Sequence, residues 1–330
     1  MTDISLLKTH RELTKLLSTK NIDIRMSDFL PKYECGNMNE ETLQSMMGQI
    51  IQFDYEKIVV AETNSLQCGN KPIELLKAID EDTCLLSADL VNVIQLNKQS
   101  EKEKQFKVIA GLRDICVTDN TEIYITCWMN KSISCLFPSG LISTLFSTDP
   151  LLPKGICQTK DGGLFVTLED TETERYEPNP HSRRLVRHVT LTGDVIHEYE
   201  FQGDSQTRLF TSPYIVKQNG NTDICVTNWT SNTTGDLVIL FYAGSLKSVY
   251  SGHKQKKEFA PTDLANDRHC NIIVSDKNNS TIHLLSPEGK FIRYLLTENQ
   301  VVQPVAISLK SSTLWIGDAY GCINVFQYKL

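Results

Sequence analysis

Seven histidines, at positions 10, 181, 188, 197, 253, 269 and 283, are the obvious start for catalytic or metal chemistry, and their spacing offers little. No His-x-His or His-Glu-x-x-His pair is present to place two imidazoles on one metal. Neither a Gly-x-Ser-x-Gly turn for a nucleophilic serine nor a glycine-rich phosphate loop occurs. Four aspartates are better placed. Asp114, Asp263, Asp276 and Asp318 stand within a repeated pattern and could give oxygen ligands to a hard cation on a central axis. The positions equivalent to Asp276 and Asp318 elsewhere hold Cys127, Leu168 and Asn228, so no symmetric carboxylate ring is expected. The plainer role for Asp276 and Asp318 is to accept hydrogen bonds inside their own loops. No catalytic residue, metal ligand or cofactor is assigned.

A second group suits recognition rather than bond-making. Trp128, Lys131, Arg175, Tyr176, Arg208, Phe210, Trp229, Lys254, Lys256, Lys257 and Tyr320 all fall between apolar strand-like runs, with Asn130 and Asn278 among them. Trp, Tyr and Arg dominate binding hot spots, and a tryptophan in a wet loop is unusual enough to mark a contact surface. Trp128 and Trp229 occupy matching places in their repeats. Trp315, inside "TLWIG", is expected in the core. The alternative for the loop tryptophans is that each folds back over its own repeat.

What would position these residues is a repeated four-strand unit. "TIHLLSPEGKFIRYLL" reads as strand, Pro-Glu-Gly turn, strand, and similar hairpins occur at 132–146, 187–201 and 238–250. Each is the end of a longer unit that starts near 72, 112, 153, 213, 261 or 304, at spacings of 40, 41, 60, 48 and 43. Apart from one insertion, "EDTETERYEPNPHSRR" at 169–184, that is the period of a four-stranded propeller blade. A proline or Leu112 opens the unit, a polar turn follows, and an alternating strand such as "NIIVSD" ends on a small polar residue: Ser87, Thr126, Thr167, Thr227 or Ser275. The last unit is short of its outer strand, and "YEKIVVAETNSL" at 55–66 has the character to supply it. Closing the ring this way removes two open sheet edges. The expected fold is all-β: a six-bladed propeller over 51–330, closed by strand 55–66, behind a helical segment at 1–50.

These residues resemble the NHL repeat. The pattern Pro-x-x-Ile/Leu, polar turn, Ile-x-Val-Ser/Thr-Asp/Asn, then Asn-x-x-Ile and a later Gly is best kept at 261–289, and the likeness covers 67–330. "LLKTHRELTKLLSTKNI" is similar to the end of a tripartite-motif (TRIM) coiled coil leading into its propeller. The resemblance implies the C-terminal half of a TRIM-NHL-like protein, a substrate-recognition module of the ubiquitin pathway. RING and B-box zinc clusters are not present in these residues, so ligase chemistry is not expected of them.

Leu6, Leu7, Leu13, Leu16 and Leu17 recur at helical spacing, as an amphipathic helix packed on the propeller or as a coiled-coil stub that could pair two chains. Asn39 would cap a second helix, with Glu40 and Glu41 in its first turn. The net charge of −7 argues mildly against a surface given over to nucleic acid. No apolar run approaches the ~20 residues of a membrane helix, and no secretory signal opens the chain. Ten cysteines without a Cys-x-x-Cys pair, several of them inside strands, read as reduced, mostly buried thiols of a cytoplasmic protein. The expected function is a non-catalytic propeller that binds a protein. An RNA-binding propeller is the alternative, with bases stacked on loop aromatics. A propeller hydrolase or lyase with an axial metal comes third.

Overall fold

The structure is a computed structural model that describes residues 58–329, except 100, 109 and 255. The described residues form 24 strands in six sheets of four. The first strand, β1 (Val59–Gln67), belongs to the last sheet. Blade one is therefore β2 (Leu75–Ala78), β3 (Thr83–Ser87), β4 (Asn92–Asn97) and β5 (Lys102–Lys107). Blade two is β6 (Leu112–Val117), β7 (Ile123–Cys127), β8 (Ser132–Leu136) and β9 (Ile142–Ser147). Blade three is β10 (Leu152–Gln158), β11 (Leu164–Glu169), β12 (Arg184–Val189) and β13 (Val195–Tyr199). Blade four is β14 (Pro213–Gln218), β15 (Ile224–Trp229), β16 (Gly235–Leu240) and β17 (Leu246–Tyr250). Blade five is β18 (Pro261–Asn266), β19 (Ile272–Asp276), β20 (Thr281–Leu285) and β21 (Phe291–Leu296). Blade six is β22 (Pro304–Lys310), β23 (Thr313–Asp318), β24 (Cys322–Lys329) and β1.

The pairing of β1 with β24, from Val59 opposite Lys329 to Gln67 opposite Cys322, joins the two ends of the described chain. No helix occurs among the described residues, and none there is long and apolar enough to cross a membrane. The helices expected at 1–50, with Leu6 to Leu17 and the Asn39 cap, lie outside the described residues.

The core lies between blades. Ile73 and Leu76 of blade one pack with Ala306 and Trp315 of blade six, while Phe165 and Val186 of blade three pack with Val216 and Val226 of blade four. Strands of this kind have no solvent side, so both faces of β11, β19 and β23 are buried throughout. The small polar residue that ends each second strand has a specific task. Thr126 accepts the Asp114 N–H at 2.8 Å across an irregularity in β6 and donates to Lys154 C=O of the next blade at 2.7 Å. Thr167 accepts Gly155 N–H at 2.7 Å and donates to Tyr214 C=O at 2.5 Å; Ser275 accepts Asp263 N–H at 2.9 Å. These hydroxyls satisfy backbone groups that the irregular inner strand leaves unpaired. Blade six uses Gly317 there, and the room goes to Ile73: a Cβ at 317 would lie 2.6 Å from its Cγ2.

Among the described cysteines, none is disulfide-bonded, and Cys84, Cys116, Cys127, Cys157, Cys225 and Cys270 are buried. Burial pushes the Cys116 thiol up to about 11 and the Cys157 thiol up to about 12. Cys68 is exposed and Cys322 half-buried.

Candidate functional site

In this topology the blade-to-blade loops and the loops after each second strand open on one face. A cavity of ≈ 280 Å³ lies where the axis meets that face, with Glu74, Arg113, Arg175, Tyr176, Tyr214, Trp229, Asn232, Thr262, Asp263, Lys277 and Val305 around it. Glu74 and Leu75 come from blade one, Arg113 from blade two, and Val305 from blade six, so the wall is shared around the ring.

Arg175 and Tyr176 belong to the insertion of blade three, and a buried arginine sets their position. Arg184 is fully buried, ion-paired to Asp170, and donates to Thr173 Oγ1 at 3.1 Å and Glu174 C=O at 3.3 Å. Asp170 also accepts Thr173 N–H at 2.9 Å and Arg183 N–H at 2.7 Å. The loop is thereby folded on itself, and Arg175 emerges with its guanidinium 5.1 Å from the Tyr176 ring centre and its Nε donating to Ser212 Oγ at 3.0 Å. Arg208 holds the far end of the same loop. It pairs with Glu200 at 3.1 Å, donates to Asn179 C=O at 2.9 Å, and lies over Phe201.

The sequence-chosen residues therefore separate into groups. Arg175, Tyr176 and Trp229 meet at the cavity. Lys254, Lys256 and Lys257 line a different groove, with Asn278 and Tyr294, and Lys256 is paired with Glu298 at 3.3 Å. Lys131 is paired with Asp149 at 3.1 Å. Tyr320 is 55% exposed, its hydroxyl 3.2 Å from Gln303 Nε2. Trp128, 38% exposed, lies across its own blade, where Arg113 covers its ring at 5.4 Å. Phe210 must be corrected: it is 2% exposed and packs in the core with Leu209 and Val238, so it offers no surface. Arg208 is likewise committed to Glu200 and the loop.

The residues missed from the sequence are Arg113, Tyr214 and Lys277. Arg113 and Tyr214 are the second residues of β6 and β14, beside apolar neighbours, where an inner-strand register would have placed them at the axis. Buried Arg113 Nε has no hydrogen-bond partner among the described residues.

Below the cavity, the axial aspartates meet a lysine instead of a cation. Lys77 Nζ lies 3.4 Å from Asp114 and 3.2 Å from Asp263, carboxylates from blades two and five on opposite sides of the ring. Burial opposes the ammonium, but the two carboxylates outweigh it and hold its pKa above the ordinary lysine range. Asp114 also accepts Ile156 N–H at 3.0 Å, and Asp263 accepts Ile307 N–H at 3.1 Å, so each is tied to the following blade. Asp276 and Asp318 stay in their own loops, accepting Ala260 N–H at 3.2 Å and Tyr320 N–H at 2.8 Å. Among the described residues, no three His, Cys, Asp or Glu side chains are grouped to hold a metal.

Beside the cavity, Lys154 is 2.5 Å from Glu169 and donates to Ser212 Oγ at 3.1 Å, which donates to Glu169 at 3.0 Å. Here burial wins. With Arg175 and Arg184 also opposing the charge, it overcomes the pull of Glu169 and lowers the Lys154 pKa to about 7.

No protein-family profile matches the chain, and no curated protein matches it significantly. Solved structures do. A streptogramin B lyase superposes with a TM-score of 0.56 at 14% identity, over 82% of this chain and 98% of its own. A gluconolactonase from Xanthomonas campestris gives 0.61 at 11%, over 80% and 89%. The PQQ-bound aldose sugar dehydrogenase from Streptomyces coelicolor gives 0.61 at 11%, over 83% and 99%. At such identities the likeness establishes the fold: an all-β, six-bladed propeller.

Proposed function

We propose that the protein is a recognition propeller that binds a partner protein at the loop-face cavity, where an acidic segment of the partner enters the mouth. The observation that carries this is the convergence of Arg113, Arg175 and Lys277, none with a carboxylate partner among the described residues, on a wall that also holds Tyr176, Tyr214 and Trp229. Arginines with aromatic neighbours are frequent anchors of protein interfaces. A TRIM-NHL-like substrate-recognition role is one setting for such a site. RNA is the weaker occupant, because the lysines at 254–257 lie in a separate groove rather than as a track leading from the mouth.

A second reading rests on the Lys154–Ser212–Glu169 array and the lyase, lactonase and dehydrogenase names of the similar propellers. A lysine near neutrality is a serviceable proton acceptor. Against it, Ser212 is fully buried and does not line the cavity.

The test is selection of peptides from a random displayed library on the full chain, followed by titration of those enriched. Acidic peptides should be enriched, and Arg175→Ala or Trp229→Ala should each weaken them by ~2 kcal/mol. Enrichment without acidic character, or affinity unchanged in both variants, rejects the site. Lactone or ester turnover that survives Trp229→Ala and vanishes in Lys154→Met would favour the second reading.

A further inference from the structure

The axis has a second mouth. On the opposite face, the far ends of all six inner strands surround a cavity of ≈ 360 Å³. The Lys77–Asp114–Asp263 cluster lies between the two cavities, since Asp263 lines one and Lys77 the other. Among the described lining residues none is aromatic. Aliphatic side chains and the Cys116 and Cys157 thiols share the wall with lysines, amides and hydroxyls, and Asp119 is its one acid.

Three groups there lack protein partners. Lys217, on blade four, stands three blades round the ring from Lys77, yet has no ion pair or side-chain hydrogen bond among the described residues. It shares the cavity wall with Lys77, Cys116 and Cys157, from the inner strands of blades one, two and three. Gln158 accepts Asp119 N–H through its oxygen at 3.1 Å, and its –NH₂ has no partner there. Asn266 Oδ1 is buried without a hydrogen bond. Ser308 Oγ accepts Ala78 N–H at 2.9 Å and retains its own O–H to donate. At the rim, Lys310 is 4.0 Å from Asp119 and over a third exposed.

A buried polar atom with no partner is costly, and an unpaired half-buried ammonium adds to that cost. A ligand that repairs both must bring negative charge to Lys217 and hydroxyls to the Asn266 and Gln158 amides. We propose that this cavity binds a small polyhydroxylated anion, a sugar phosphate or a sugar acid, with its anionic group on Lys217 and Lys310 and its hydroxyls on Asn266, Gln158 and Ser308. At ≈ 360 Å³ the cavity falls in the range of small-ligand pockets, roughly 300–1,000 Å³, and is too small for a folded partner.

Calorimetry on the full chain with glucose 6-phosphate, gluconate and neutral glucose tests this. At least one anion should bind at millimolar concentration or below, and glucose should not. The anion that binds identifies phosphate or carboxylate as the recognised group. Lys217→Gln should weaken it about tenfold or more, as expected for loss of a charge-assisted hydrogen bond, and Lys310→Ala by less. Arg175→Ala, at the other mouth, should leave it unchanged. No heat from either anion, equal binding of glucose, or undiminished affinity in Lys217→Gln with an unchanged melting temperature overturns the proposal.

Discussion

Lys77 and Lys154 are both lysines buried near the axis, each against a carboxylate, and the fold treats them in opposite ways. Lys77 has two carboxylates, Asp114 and Asp263, and its charge is held. Lys154 has one, Glu169, with Arg175 and Arg184 near it, and its charge is disfavoured. Burial penalises both ammonium groups, so the sign is decided by which charges the neighbouring blades bring. The first lysine is a strut across the ring. The second is a group poised to lose its proton beside the loop-face cavity.

The largest effect expected is from Lys77→Met, which leaves two buried carboxylates without their cation and should cost about 3–5 kcal/mol in chemical denaturation. Adding Asp114→Asn and Asp263→Asn to Lys77→Met should recover part of that loss. A Lys77→Met variant as stable as the parent would mean the axial cluster is not a charged strut.

The pH dependence of stability separates the two lysines next. Lys154 has a folded pKa of about 7, below its ordinary 10.5. Between those values the unfolded chain holds a proton that the folded one lacks, so stability contributed by this group rises across that window, by up to about 1.4 kcal/mol per pH unit. Lys77 has the opposite sign: its raised pKa contributes stability that is present below the ordinary lysine value and lost as pH climbs above it. Urea denaturation from pH 6 to 10 should show the first slope, and Lys154→Met should remove it. An unaltered slope in that variant would put the proton elsewhere.

Smaller still is the change from Lys154→Met at neutral pH. It leaves Glu169 with Ser212 and relieves the repulsion from Arg175 and Arg184, so the loss should stay near 1 kcal/mol. A loss equal to that of Lys77→Met would erase the distinction. The smallest effect should come from Trp128→Ala, a half-exposed ring whose removal should cost under about 1 kcal/mol, against roughly 3–5 for Trp315→Ala in the core.

Much of this molecule was legible in its sequence because a blade is a local object. Period-2 alternation, a turn and a small polar stop are visible within some forty residues, and a unit one strand short points to a donor elsewhere, here β1 beside β24. The loop assignment was legible in part: it brought Arg175, Tyr176 and Trp229 to one cavity, yet it also chose Phe210, which lies in a long connection but turns inward. Sequence periodicity does not say which way a loop side chain points.

The composition and order of residues by themselves determined a ring of four-stranded sheets with apolar interfaces, since each unit must bury both faces against a neighbour. Only the tertiary structure decided what stands at the axis. Lys77, Asp114 and Asp263 are separated by 37 and 149 positions, and no local pattern connects them. Ring closure brings three blades to one point, where the sum of charges converts two prospective cation ligands into partners of a lysine. The same convergence gives one mouth its arginines and aromatic rings and the other its lysines and amides. Charge balance in a low-dielectric centre depends on distances across the ring, and those exist only once the ring is closed.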